Sequence, residues 1–137
     1  MARLLAIDYG TKRVGLAVTD PLKIIASTLD TVHAKDVIVY LKNYTAKEEV
    51  ERFVVGLPKR LDGSDSQSAV HVENFVNLLR KNFPNTPIER VDERFTSTIA
   101  TRSLLEMGLK KKDRANKGNV DQVSAVLILQ TYMQMVQ

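Results

Sequence analysis

The sequence contains no cysteine, which excludes disulfides, thiolate zinc sites and a thiol nucleophile together. It also lacks an apolar run of membrane-span length, because Arg3 follows the start and charges recur throughout. No signal-like segment is evident, so the cytoplasm is the expected location and no membrane partner is expected. Aromatic residues make up only 6%, mostly on apolar helix faces, and form no stacking platform of the kind single-strand binders use. The two histidines, His33 and His71, lack metal-like spacing and receive no role. Internal repeats, low-complexity stretches and Pro/Ser-rich linkers are absent as well. What remains is a chain of 137 residues, 44% hydrophobic and 26% charged. That is the size and balance of one domain spanning 1–137, long enough to bury a core unaided. The net charge of +4, from 20 basic and 16 acidic groups, leans toward polyanionic partners without establishing them.

The pattern along the chain points to an α/β fold. Arg3 to Asp8 is a short apolar run ending on an acid, and Val14 to Thr19 is β-branched-rich. Tyr9-Gly10-Thr11-Lys12 reads as the turn between them. Asp20-Pro21 marks a second turn, before a strand from about Ile24 to Val32. Turns this short imply a three-strand antiparallel meander. Val37, Ile38, Leu41 and Tyr44 then recur at near-helical spacing. Phe53-Val54-Val55 is a fourth strand closed by Gly56-Leu57-Pro58. Val72, Phe75, Val76, Leu79 and Phe83 mark a second helix, stopped by Pro84. Ile88 to Val91 is a fifth strand ending at Asp92-Glu93. Thr96 or Ser97 can cap a helix running to Gly108, and Asn119 a last, mostly apolar helix from Val120 to about Met135. Alternating strands and helices in the second half imply parallel pairing. The expected result is a mixed five-stranded sheet flanked by helices, with a crevice at the carboxyl ends of its central strands.

Three acids sit at the ends of these elements. Asp8 closes the first strand, Glu93, beside Asp92, closes the fifth, and Asp121 falls in the first turn of the last helix. Hard oxygen ligands drawn from separate segments suit Mg²⁺ or Mn²⁺. Two such ions about 4 Å apart can activate water and stabilise the leaving oxygen of a phosphodiester. Taken singly, each acid has a plainer reading: Asp121 favours a helix dipole, and Asp8 can simply begin a turn. Around Asp8, Gly10 permits a tight turn, Thr11 and nearby amides can bond a phosphate, and Lys12 and Arg13 add cations.

The segment Ala6-Ile7-Asp8-Tyr9-Gly10-Thr11-Lys12-Arg13-Val14-Gly15-Leu16-Ala17-Val18 resembles the first motif of the YqgF/RuvX family. Three further stretches agree in order: Val54-Val55-Gly56-Leu57-Pro58 with Asp62-Gly63, then Asp92-Glu93-Arg94-Phe95-Thr96-Ser97, then Lys117-Gly118-Asn119-Val120-Asp121. They span nearly the whole chain. The resemblance implies a ribonuclease H-like fold and a metal-dependent nuclease, described either as a Holliday-junction resolvase or as a pre-16S ribosomal RNA nuclease. It puts Asp8, Glu93 and Asp121 at the catalytic, metal-binding positions, where two Mg²⁺ or Mn²⁺ ions are the expected cofactors. Asp92 is the competitor of Glu93; adjacent residues of a strand point to opposite faces, so one ion pair takes only one of them. Ser97 and Ser124 stand where the family often shows Thr and Ala.

Candidate nucleic-acid contacts are Thr11, Lys12 and Arg13, then Lys59 and Arg60 after Gly56-Leu57-Pro58, then Arg94 and Thr96. The densest basic run, Lys110-Lys111-Lys112-Asp113-Arg114 with Lys117 beyond, leads into Asp121 and can steer a phosphate backbone toward the acids. Each also reads as a solvated surface, and Thr96 as a helix cap. The resemblance implies a structured RNA such as pre-rRNA, within ribosomal precursor particles, or a branched DNA, bound by a monomer or a homodimer. RNA processing is the favoured role. Two other readings stand beside it. Asp8-Tyr9-Gly10-Thr11 before a hairpin also resembles the phosphate turn of actin-like ATPases and sugar kinases, but no second Gly-Thr loop appears. A non-catalytic binding module would leave clustered acids to repel phosphate.

Overall fold

The computed structural model describes residues 2–57, 69–92 and 117–136, with backbone alone for 117–122. The strands are β1 (Arg3–Tyr9), β2 (Arg13–Thr19), β3 (Ala26–His33), β4 (Val50–Leu57) and β5 (Ile88–Asp92). The helices are α1 (Val37–Lys47), preceded by a 3₁₀ turn at Ala34–Asp36, then α2 (Ala69–Asn82) and α3 (Lys117–Met135). The helix expected between Thr96 and Gly108 lies outside the described residues.

The sheet order is β3-β2-β1-β4-β5. β1, β2 and β3 form the antiparallel meander expected from their short turns, while β4 pairs parallel with both β1 and β5. The carboxyl ends of β1, β4 and β5 therefore share one edge, and the β1–β2 turn lies on it too. Central position explains the composition of β1, whose Leu4–Ile7 run is buried without interruption.

Alternation along the strands separates two cores. Leu5, Ile7, Val14, Leu16, Phe53 and Val55 pack with Val37 and Leu41 of α1 and with Val72, Phe75, Val76 and Leu79 of α2. Leu4, Ala6, Ala17, Val54 and Val91 face the opposite way, against Ala125, Val126, Ile128, Leu129 and Tyr132 of α3. Polar contacts repeat the division. Arg90 reaches Glu73 of α2 at 2.7 Å, whereas Arg52 bonds both Glu89 at 2.7 Å and the Tyr132 hydroxyl of α3 at 3.3 Å. On β3, Asp30 faces α1, where burial and then the Asp30 carboxylate hold the Tyr40 phenol above its ordinary range.

Several boundaries differ from the sequence expectation; β4, for one, begins at Val50 and not at Phe53. β3 begins at Ala26 rather than Ile24, because the Asp20 carboxylate accepts the amides of Leu22, Ile24 and Ile25 and keeps them in the loop. α2 ends at Asn82, leaving Phe83 to meet Phe53 edge-on with 5.1 Å between ring centroids. α3 begins at Lys117 rather than after an Asn119 cap. Asp121 is thus its fifth residue and not in the first turn, which weakens the dipole account of that acid.

Candidate active site at the carboxyl edge

Asp8 lies one residue short of the end of β1, not at its last position. It continues the Leu4–Ala6 row, so its carboxylate is carried on the α3 face of the most central strand. Its partner on β2 is Gly15, which offers no side chain on that face. On the other side, the parallel register Ile7↔Val55 continues toward Gly56. The acid thus sits on a central strand with glycine on the neighbouring strand, which adds no side chain beside it on that face.

The adjoining turn is fastened at three points. The Gly10 amide donates to the Arg13 carbonyl at 3.0 Å, and the Ala34 amide donates to the Lys12 carbonyl at 3.0 Å. Tyr9, on the opposite face from Asp8, stacks on Phe75 of α2 with ring centroids 4.4 Å apart. Thr11 and Lys12 in this turn and Arg13 at the start of β2 are all exposed and close in sequence to the acid.

Asp92 falls on the other side. Ile88 belongs to the α2-facing core and Arg90 pairs with Glu73 of α2, so Asp92 shares their face while Val91 points to α3. β5 ends at Asp92 within the described residues, and Glu93 lies outside them. The opposition of faces expected between adjacent strand residues therefore disfavours Asp92 as a partner of Asp8.

The third acid is placed by the direction of α3. Tyr132, near its carboxyl end, sits over Arg52 and Leu4 at the amino ends of β4 and β1. From Tyr132 back to Asp121 the helix rises about 16 Å. From Leu4 to Asp8 the strand advances about 13 Å. The backbone of Asp121 is thus about level with Asp8, on the same side of the sheet. Among the described residues, no three acidic or imidazole groups lie close enough to hold an ion. The donor chemistry nonetheless fits one, since carboxylates are the hard oxygen ligands a divalent cation takes. Lys59, Arg60, Arg94, Thr96, Lys110, Lys111, Lys112 and Arg114 lie outside the described residues, and Lys117 is described by its backbone as the first residue of α3.

The sequence matches the RuvX family, described as a Holliday junction resolvase, over residues 2–135. The chain belongs to the RuvX family. The family is one of nucleases, so the reaction class is hydrolysis of phosphodiester bonds. A relative from Christiangramia forsetii is 55% identical over 97% of this chain and 98% of its own, and bears the name "Putative pre-16S rRNA nuclease". A second of the same name, from Bacteroides thetaiotaomicron, is 52% identical over 98% and 97%. Thermus thermophilus RuvC, solved in complex with a Holliday junction substrate, is similar in fold, with a TM-score of 0.62 at 14% identity over 98% of this chain and 96% of that one. The fold of this RuvX-family chain is accordingly ribonuclease H-like, as its motifs imply. Among the described residues no helix is long and apolar enough to cross a membrane.

Sequence reasoning passed over one residue at this edge. β2 and β3 pair Arg13 with His33, so His33, given no role above, stands beside a residue that was assigned one. The signal lay in counting back from the β2–β3 turn, but a bulge in that pairing shifts the count.

Proposed function

We propose that this RuvX-family chain is a divalent-metal-dependent endonuclease for structured nucleic acid, and that its reaction is 5′-end processing of pre-16S ribosomal RNA. The observation that carries the chemistry is Asp8: a carboxylate on the central strand, beside Gly15, on the face covered by the helix that bears Asp121. Asp8, Glu93 and Asp121 are the acids that hold two Mg²⁺ or Mn²⁺ ions. Strand alternation argues against Asp92, whose row faces α2 and not the side that carries Asp8, and so supports Glu93. The names borne by relatives at about half identity support the RNA substrate.

Bound cations supply charge against the phosphate and acidify water enough to make it a nucleophile near neutral pH. The chain's own residues do the rest. Asp8 is carried on the central strand, paired with Gly15 of β2, which holds its backbone in one place through the reaction. Thr11, Lys12 and Arg13 engage phosphate oxygens from the fastened turn and align the bond for in-line attack. Water oxygen bonds to phosphorus, the bond to the 3′ oxygen breaks, and that oxygen leaves protonated, giving 5′-phosphate and 3′-hydroxyl products.

The deciding experiment compares cleavage of an RNA carrying the pre-16S 5′ leader with cleavage of a four-way DNA junction, in Mg²⁺ and in Mn²⁺. Asp8→Asn is run beside the unaltered protein. Cleavage of the RNA alone, abolished in the variant, supports the reading. Cleavage of the junction alone moves the substrate to DNA, and full activity of the variant removes Asp8 from the site.

A further inference from the structure

His33 ends β3 at the edge that carries Asp8, and three observations give it work there. The register Asp8↔Gly15↔Thr31 places one residue of each meander strand on a common row, and Arg13↔His33 is the row two residues farther out. Rows two apart share a face, so Arg13 and His33 stand side by side on the same face as Asp8. By strand spacing and rise, their Cα atoms lie about 8 Å and about 12 Å from that of Asp8.

Next, the imidazole is oriented. Its Nδ1 accepts the backbone N–H of Lys35 at 3.2 Å, capping the 3₁₀ turn. An accepting Nδ1 assigns the ring proton to Nε2, and the side chain is exposed, so a hydrogen-bond donor faces outward. Finally, the position is rigid relative to the acid. The Ala34 amide, next in the chain, donates to the Lys12 carbonyl at 3.0 Å, joining the end of β3 to the β1–β2 turn. Asp36 follows Lys35 nearby and is exposed, so this corner is not a general positive field. What it offers is a directed donor.

We propose that His33 contacts substrate, donating Nε2–H to a backbone phosphate neighbouring the one held by Arg13. The span from Asp8 to His33 covers a few nucleotides at a rise of about 3.4 Å each, so the contact is to one flank of the scissile bond. The ligand chemistry is a phosphodiester strand, RNA or DNA. The inference rests on the nuclease reading given above and adds a residue to it.

The test uses the full chain and measures binding by fluorescence anisotropy with Ca²⁺ in place of Mg²⁺. The two probes are a labelled hairpin RNA with the 5′ leader and a labelled four-way DNA junction. KM and kcat are measured on the same probes with Mg²⁺. His33→Ala removes donor and cap together. His33→Asn retains a capping oxygen but is too short to place a donor where Nε2 lies. Both variants are expected to bind about tenfold more weakly, the effect of losing one hydrogen bond to a charged group. KM should rise and kcat hold, with the melting temperature of His33→Asn unchanged. Because the lost donor is neutral, the slope of log affinity against log salt should stay as it was, whereas Lys12→Ala should lower it by about one. Unchanged affinity and KM in both variants overturns the proposal while leaving the nuclease reading intact. So does weakening confined to His33→Ala, which would make His33 a cap alone. An unaltered protein that neither binds nor cleaves either probe overturns both. Which probe is affected identifies the strand.

Discussion

Replacing Gly10 with alanine should harm cleavage far more than it harms stability. A Cβ at this position would lie 2.7 Å from the carbonyl oxygen of Arg13. The atom it meets is backbone, so no side chain can swing away. To reach the 3.4 Å of ordinary contact, the turn must open by roughly 0.7 Å. The same opening stretches the bond from the Gly10 amide to that carbonyl, now 3.0 Å, which contributes about 1 kcal/mol. A loss of that size lowers the melting temperature of a chain this long by about 4 °C. The turn, however, carries Thr11, Lys12 and Arg13 beside Asp8, and a displacement approaching 1 Å at a positioning group costs about 100-fold in rate. Differential scanning fluorimetry and single-turnover cleavage of the leader RNA in saturating Mg²⁺ give the two numbers. A Gly10→Ala protein that loses several degrees yet cleaves at the normal rate would refute the role of the turn. One that keeps both would refute the close approach itself.

Other consequences are as direct. Glu93→Gln should lower single-turnover cleavage by at least about 100-fold, while Asp92→Asn stays within a few-fold of the unaltered chain; equal losses would break the argument from strand faces. Ala125→Leu adds bulk where α3 meets the sheet with no exposed surface, so it should cost about 1–3 kcal/mol and, measured well below the melting temperature, still slow cleavage about tenfold. Asp20 is held below its ordinary carboxylate range chiefly by the Ile25 amide, with those of Ile24 and Leu22 helping against desolvation. A depressed folded-state value makes its stabilisation complete above the unfolded value and lost as pH falls toward the folded one. The melting temperatures of Asp20→Asn and the unaltered chain should therefore differ near neutral pH and converge under acid conditions, and a gap independent of pH would count against this.

The meander and α2 were legible because their signals are local. Gly10 and Asp20-Pro21 punctuate the strands, and Val72, Phe75, Val76 and Leu79 repeat on one helical face. Where tertiary packing or a side chain competes with propensity, the reading moved. Gly118 and Asn119 are poor helix formers and suggest a start after them, yet the helix begins at Lys117. Ile24 and Ile25 favour a strand by type, but their amides are engaged by Asp20. The acids were legible as candidates because strand ends place carboxylates at an edge. Their facing was not, since which parity of β5 meets α3 depends on the parallel register with β4. His33 was illegible for a related reason: the β2–β3 pairing shifts between Leu16 and Ala17, so counting along the sequence assigns it the wrong face.

The two faces of the sheet differ in a way that bears on the chemistry. Toward α1 and α2 the central strands present Leu5, Ile7, Leu16, Phe53 and Val55, a thick layer that holds those helices off. Toward α3 they present Ala6 and Ala17 between Leu4 and Val54, with Gly15 beyond on the Asp8 row, and the helix places Ala125 among its larger side chains. The separation of packed elements is set by the side chains between them, so α3 can settle closer to the sheet than its counterparts. A catalytic carboxylate is short and a divalent cation binds its oxygens at about 2 Å. Acids contributed by a strand and by a helix can share an ion only if the two backbones approach closely. The small residues lie on the face where Asp8 points and one turn of α3 beyond Asp121. On the other face the same acid would stand beside a layer of larger side chains, Leu5, Ile7, Leu16 and Phe53 among them. The distribution of alanine and glycine thus selects the side of the sheet on which the chemistry can be built.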